Sequence, residues 1–314
     1  MKTKLLRLLI VMTISVTALF ALGMTASAAT EYNINEGSVT ISADGDYIIS
    51  GTGEATTNTI TVESGIIANI TLAGVNIDTS STGDYNTDEA GLAAFKIADG
   101  SGGNVTITLK EGTVNTLKSG VYCAGLQKNG GTTSGRLTIG GTGILNATGG
   151  VNGAGVGSGN SCECANVVIE SGTITATSDE NGGAGIGGGY DGDVSNITIN
   201  GGTVTAEGGW MSAGIGAGVN GSASGIKING GTINATGGSY GAGIGGGCGT
   251  WGATCDDISI TGGNITATGG AYGGAGIGGG YASACTNITI ENAVITATAV
   301  GGGNAIGGGS GYAA

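Results

Sequence analysis

The side chains with usable chemistry are few and regularly placed. Trp210, Tyr240 and Tyr272 each stand shortly before an Ala-Gly-Ile segment, and Tyr190 and Tyr281 stand shortly after one. Trp251 lies in a loop between Cys248 and Cys255. Aromatic rings of this kind pack on the C–H faces of sugars, while polar neighbours bond the hydroxyls. Carboxylates gather at Asp191-Gly192-Asp193 and at Asp84, Asp88 and Glu89. Their oxygens suit Ca2+, although neither set has EF-hand spacing. Calcium would let an acidic protein hold an acidic polysaccharide by bridging carboxylates. Of the six cysteines, Cys164, Cys255 and Cys285 share a column. Cys255 is within reach of Cys285 on the next unit, or of Cys248 across the Trp251 loop.

Other chemistry is excluded by what is missing. The chain has no His, which removes the commonest general base and a common metal ligand. A polysaccharide hydrolase needs clustered carboxylates. Asp256-Asp257 is the one Asp-Asp pair, and it has no basic partners nearby. A pectate-lyase-like enzyme needs a strong base beside an acidic cluster. Lys96, Lys110, Lys118, Lys128, Arg136 and Lys227 are not so placed. The expectation is a non-catalytic protein.

These residues are positioned by a repeat. Gly183-Ala184-Gly185-Ile186-Gly187-Gly188-Gly189-Tyr190 recurs with small edits around Ile215, Ile244 and Ile277, and more loosely around Val156 and Ile306. The spacings are 30, 29, 29, 33 and 29 residues. A fixed period of this size means stacked similar units. One unit holds Ile197 and Ile199, then an Asn200-Gly201-Gly202 turn, then Val204 and Ala206, then Ala213-Gly214-Ile215. Alternation with period two predicts short, half-buried strands, and the Asn-Gly turn accepts positive φ. The fold class is therefore all-β, a single-stranded right-handed parallel β-helix. About nine coils of about 30 residues, with three short strands each, would be about 43 Å long.

The columns repeat across units. First strands supply Leu137/Ile139, Val167/Ile169, Ile197/Ile199, Ile226/Ile228, Ile258/Ile260 and Ile288/Ile290. Second strands supply Ile144, Ile174, Val204, Ile233, Ile265 and Ile295. Asn104, Asn166, Asn196, Asp257 and Asn287 precede first strands and predict a side-chain ladder. In third strands the outward positions are Gly185, Gly187, Gly214, Gly216, Gly243, Gly245, Gly276 and Gly278. They predict a bare backbone floor rimmed by the aromatics, on which an extended polysaccharide could lie. The second strands present Thr-x-Thr pairs outward, a pattern open to ice binding but also to simple β-propensity.

Residues 1–28 read as a secretory signal peptide, with Lys2, Lys4 and Arg7, an apolar run, and Ala26-Ser27-Ala28. The remainder, 29–314, reads as one solenoid, with N-terminal coils over 29–133 and Gly-rich coils over 134–314. It carries six basic residues against 22 acidic ones, a net charge of −16. Such a surface repels nucleic acid. No later run is apolar and long enough for a transmembrane helix. An open strand edge at the C-terminus would favour self-association.

The segments Gly45-Asp46-Tyr47-Ile48-Ile49-Ser50-Gly51, Ile70-Thr71-Leu72-Ala73-Gly74-Val75-Asn76-Ile77 and Val105-Thr106-Ile107-Thr108-Leu109 resemble a known family. Leu137-Thr138-Ile139-Gly140-Gly141 continues the pattern. It is that of the secreted bacterial carbohydrate-binding right-handed parallel β-helix proteins. The resemblance implies calcium sites and non-catalytic binding of plant cell-wall polysaccharide. The later coils resemble Gly-rich arrays of surface adhesin-like proteins, which imply a structural or adhesive role through protein contacts instead.

Overall fold

The computed structural model is a right-handed parallel β-solenoid and describes residues 28–99, 102–179, 181–249 and 253–311. The proposed leader, apart from Ala28, lies outside the described residues, as does Trp251. Every strand pair is parallel, and each coil runs through a first, second and third sheet in that order. The first and third sheets hold ten strands and the second holds eight, against the nine coils expected. The first two coils lack a second-sheet strand, and Thr56 makes only an isolated bridge to Ile77 there. No helix among the described residues is long and apolar enough to cross a membrane.

Stacking places like on like. In the coil Val194–Ile199, Thr203–Glu207 and Ile215–Gly216, the side chains of Ile197, Ile199, Val204, Ala206 and Ile215 are fully buried. Ile197 pairs with Val167 and Ile226, and Val204 pairs with Ile174 and Ile233. Each such burial contributes about 1.5–3 kcal/mol. A coil cannot supply its own cover, so neighbouring coils stabilise one another.

Two details depart from the sequence pattern. In the strand Ile144–Thr148 it is Leu145, not Ile144, that pairs with Ile174 and is buried. Both positions are apolar, so alternation alone does not choose between them. The partner strands choose, because Ala147 must align with Ala176. Next along this core column, Leu145 pairs with Asn115, which is also fully buried. Its side-chain oxygen accepts from the backbone N–H groups of Gly74 and Val75, both at 3.0 Å. Its amide donates to the Ile144 carbonyl at 3.2 Å. A polar residue is tolerated inside because its bonds are made.

The Asn column is a stacked bulge. Asn166, Asn196, Asp257 and Asn287 have φ between 53° and 60°, and Gly225 takes the same place at 66°. Asn and Asp tolerate this left-handed conformation better than other side chains do. The Asn196 amide donates to Asn166 at 3.2 Å, while the Asn287 amide donates to Asp256 at 2.8 Å. The expected ladder is thus bonded only between Asn166 and Asn196 among the described residues, since Gly225 interrupts the column and Asn287 bonds Asp256 beside it.

Cys255 is joined to Cys285 on the next coil, with 4.3 Å between the Cα atoms, so the Cys248 alternative does not hold. Cys248 lies in the turn after the third-sheet strand Ile244–Gly245 and is buried. The bond spans 30 residues. Its reduction is expected to cost about 3–4 kcal/mol by loop closure. Denaturant titration with and without reductant checks this, and Cys285→Ser should reproduce the reduced curve.

Candidate functional site

The third strands do not form an open floor. Gly185, Gly187, Gly214, Gly216, Gly243, Gly245, Gly276 and Gly278 are all buried. The reason is local. The Ala184 N–H donates to the Gly188 carbonyl at 2.8 Å, and Ala213 to Ala217 at 2.9 Å. Ala242 to Gly246 and Ala275 to Gly279 repeat the pattern at 3.0 and 2.9 Å. Each third segment therefore closes on itself. Its two flanking turns then meet across coils. Tyr190 N–H donates to Asn152 O, Val219 to Gly182, Cys248 to Met211 and Tyr281 to Tyr240, at 2.7–3.1 Å. These bonds make a seam along the solenoid.

The seam brings the aromatic columns together instead of holding them apart. Tyr240 stacks on Tyr272 with ring centroids 4.9 Å apart. Trp210 and Tyr281 each meet Tyr240 edge-on, at 5.8 and 5.6 Å. Trp210 is 53% exposed and Tyr272 58%, while Tyr240 between them is half-buried. Four of the aromatic residues expected from sequence thus form one cluster, with a held ring behind two open ones. Tyr190 lies further along the same seam, at a small recess of about 130 Å³ that it shares with Trp210, Met211 and Val219.

The sequence reading missed Tyr85. It sits in the acidic insertion, on the short 3-10 turn Tyr85–Thr87, and lines the same recess as Tyr190 and Trp210. It also meets Tyr122 edge-on, with centroids 6.1 Å apart. An aromatic residue inside a polar insertion was the available signal. The other side of Trp210 opens into a larger groove of about 680 Å³, which includes Thr148, Ser178, Asp179, Asn181, Glu207 and Ser239. Two carboxylates, an amide and hydroxyls therefore flank an exposed indole.

The proposed calcium ligands are not gathered in this way. Asp191 accepts from the Asn220 amide at 3.0 Å, and Asp193 from the Ser222 N–H at 2.8 Å. Asp84 accepts from the Asn86 N–H at 2.8 Å and caps the 3-10 turn. Asp88 accepts from the Tyr122 hydroxyl, which is the main reason that phenol is pushed up to about 12. Asp84 thus serves its own turn, while Asp88, Asp191 and Asp193 bind groups on the neighbouring coil. No group of three or more acidic or cysteine side chains that could hold a metal occurs among the described residues.

One buried cation lies away from the seam. Lys128 is 3% exposed and donates to Ser134 Oγ. Burial lowers its pKa from the ordinary lysine value. The neighbouring Cys164 thiol is pushed up to about 12, again by burial.

Residues 167–190, 197–219, 226–248 and 258–281 match a family model described as a beta helix repeat. No curated protein and no solved structure matches the chain. Each matched unit begins in a first strand and ends on a residue of the seam, at Tyr190, Val219, Cys248 or Tyr281. Strand register, burial and the family model thus agree that this part of the chain is built of β-helix repeats.

Proposed function

We propose that the protein is a secreted, non-catalytic polysaccharide-binding solenoid whose ligand lies along the aromatic seam. The observation that carries this reading is the pair of exposed rings, Trp210 and Tyr272, braced by Tyr240. A soluble chain gains nothing by keeping two large rings wet, whereas a sugar face can cover them. The groove beside Trp210 supplies hydroxyl, amide and carboxylate partners. The polar backbone of a solenoid edge is periodic, as a polysaccharide is, so successive coils can meet successive sugars. The inter-coil disulfide is in keeping with export to an oxidising compartment.

The test is retention on insoluble cellulose, chitin and pectin, with and without a calcium chelator. Trp210→Ala combined with Tyr272→Ala removes two stacking faces at about 1 kcal/mol each, so retention should fall roughly tenfold or more. The β-rich circular dichroism should be unchanged. Failure on every glycan, together with concentration-dependent oligomers, would replace this reading with an adhesive role through protein contacts.

A further inference from the structure

We infer that Lys128 holds a small monovalent anion of the halide type in an enclosed cavity where the N-terminal coils meet the Gly-rich ones. The site lies apart from the aromatic seam and does not depend on the polysaccharide reading.

Lys128 breaks the pattern of its column. It ends the third-sheet strand Leu126–Lys128 and pairs with Ile97, which pairs in turn with Val62. Val62 is fully buried and Ile97 packs against the core, so the two preceding coils place apolar side chains at this position. Lys128 is itself 3% exposed. An ammonium has three donors to satisfy. The one acceptor it meets among the described residues is Ser134 Oγ, which donates in turn to the Gly131 carbonyl at 2.6 Å. Its charge is not offset either. The one ion pair among the described residues joins Lys118 to Asp78. Glu63 and Asp99 closely follow Val62 and Ile97 in the chain, yet both are exposed and neither pairs with Lys128. Cys164 is held as a neutral thiol by burial, so it supplies no counter-charge. A buried charge left without a partner is strongly destabilising.

Beside Lys128 lies a largely enclosed cavity of about 10 Å³, room for a particle of about the size of a water. Arg136 lines it too and has no ion pair of its own. Asn129 brings a donor, because its side-chain oxygen is taken by the Gly159 N–H at 3.0 Å. Glu63 is the one acidic residue of the lining, and it is exposed. A water in this space would accept from Lys128 but leave its charge unbalanced. A halide accepts the same bonds and balances the charge. The space is too small for sulfate or phosphate.

The experiment compares the full chain with Lys128→Met in denaturant titrations at rising sodium chloride, with sodium sulfate at matched ionic strength as the control. In sulfate the variant should be at least as stable as the wild type, since an apolar side chain replaces an unpaired charge. In chloride the wild type should gain on the variant. Each tenfold rise above the dissociation constant should raise its folded-to-unfolded ratio about tenfold more than that of the variant. Taking the difference removes the general salt effect that both proteins share. Crystals of the wild type soaked in bromide should show an anomalous peak in the cavity, within hydrogen-bond reach of Lys128 Nζ. A wild type that gains nothing on the variant in chloride, or a cavity that holds only water in bromide, would overturn the inference. If Lys128→Met does not fold, the bromide peak alone decides. None of these outcomes bears on glycan retention.

Discussion

Gly216→Ala is expected to destabilise the central coils by about 3–5 kcal/mol, the sum of a strained backbone and a forced overlap. Gly216 has φ +137°, a conformation that L side chains rarely adopt. A Cβ built there would overlap the carbonyl oxygen of Gly245 on the next coil. That oxygen is not free to move, because it accepts the Ala217 N–H at 3.0 Å. Relief of the clash would break the bond that continues the third sheet. Gly187, Gly245 and Gly278 occupy the same column with φ from +127° to +135°, so no neighbouring coil has slack to offer. The control is Gly37→Ala, where an added Cβ meets nothing within 4 Å and the change should lie within about 0.5 kcal/mol. Denaturant titration of both variants decides the matter. A Gly216→Ala protein as stable as the Gly37→Ala protein would show that the third segment does not close as described.

Phe95→Ala is expected to cost about 3–5 kcal/mol, the range for emptying a buried aromatic site. Phe95 is fully buried and heads the largest of the enclosed side chains. It pairs with Ile60 on one side and Leu126 on the other. The effect should also be local. Coils contact only their neighbours, so stability is transmitted through nearest-neighbour interfaces. Hydrogen exchange should therefore accelerate in strands Ile60–Val62, Phe95–Ile97 and Leu126–Lys128. The strands around Ile244 and Ile277 should keep their protection. Uniform loosening along the whole chain would mean that the solenoid opens as one unit.

Much of this architecture was legible in the residues. The period near 30 residues, the Ile and Val columns and the Asn column follow from side chains that must face the same way in every coil. Val167, Ile197 and Ile226 needed only alternation and spacing to be placed inward, and they are inward. The slip between Ile144 and Leu145 marks the limit of that method. Two adjacent apolar residues carry no phase, and only pairing with Ile174 supplies it.

The aromatic residues show the same division more sharply. Their types and positions in the chain marked Trp210, Tyr240 and Tyr272 as one column and Tyr190 and Tyr281 as another. Their arrangement as a cluster, not as two rims, came from backbone bonds such as Tyr281 N–H to Tyr240 O. Glycine has no side chain to report a direction, so Gly185 and Gly187 could not say from sequence whether solvent or another turn lay outside them. Tyr85 was likewise hidden, because a residue in an insertion has no column to belong to. The sequence by itself determined the period, the strands and, except at Ile144 and Leu145, which Ile and Val columns face the core, since these depend on alternation within a coil. The tertiary structure alone decided that Cys285 is the partner of Cys255, that the glycines are covered, and that the aromatic rings meet, since these depend on contacts between coils.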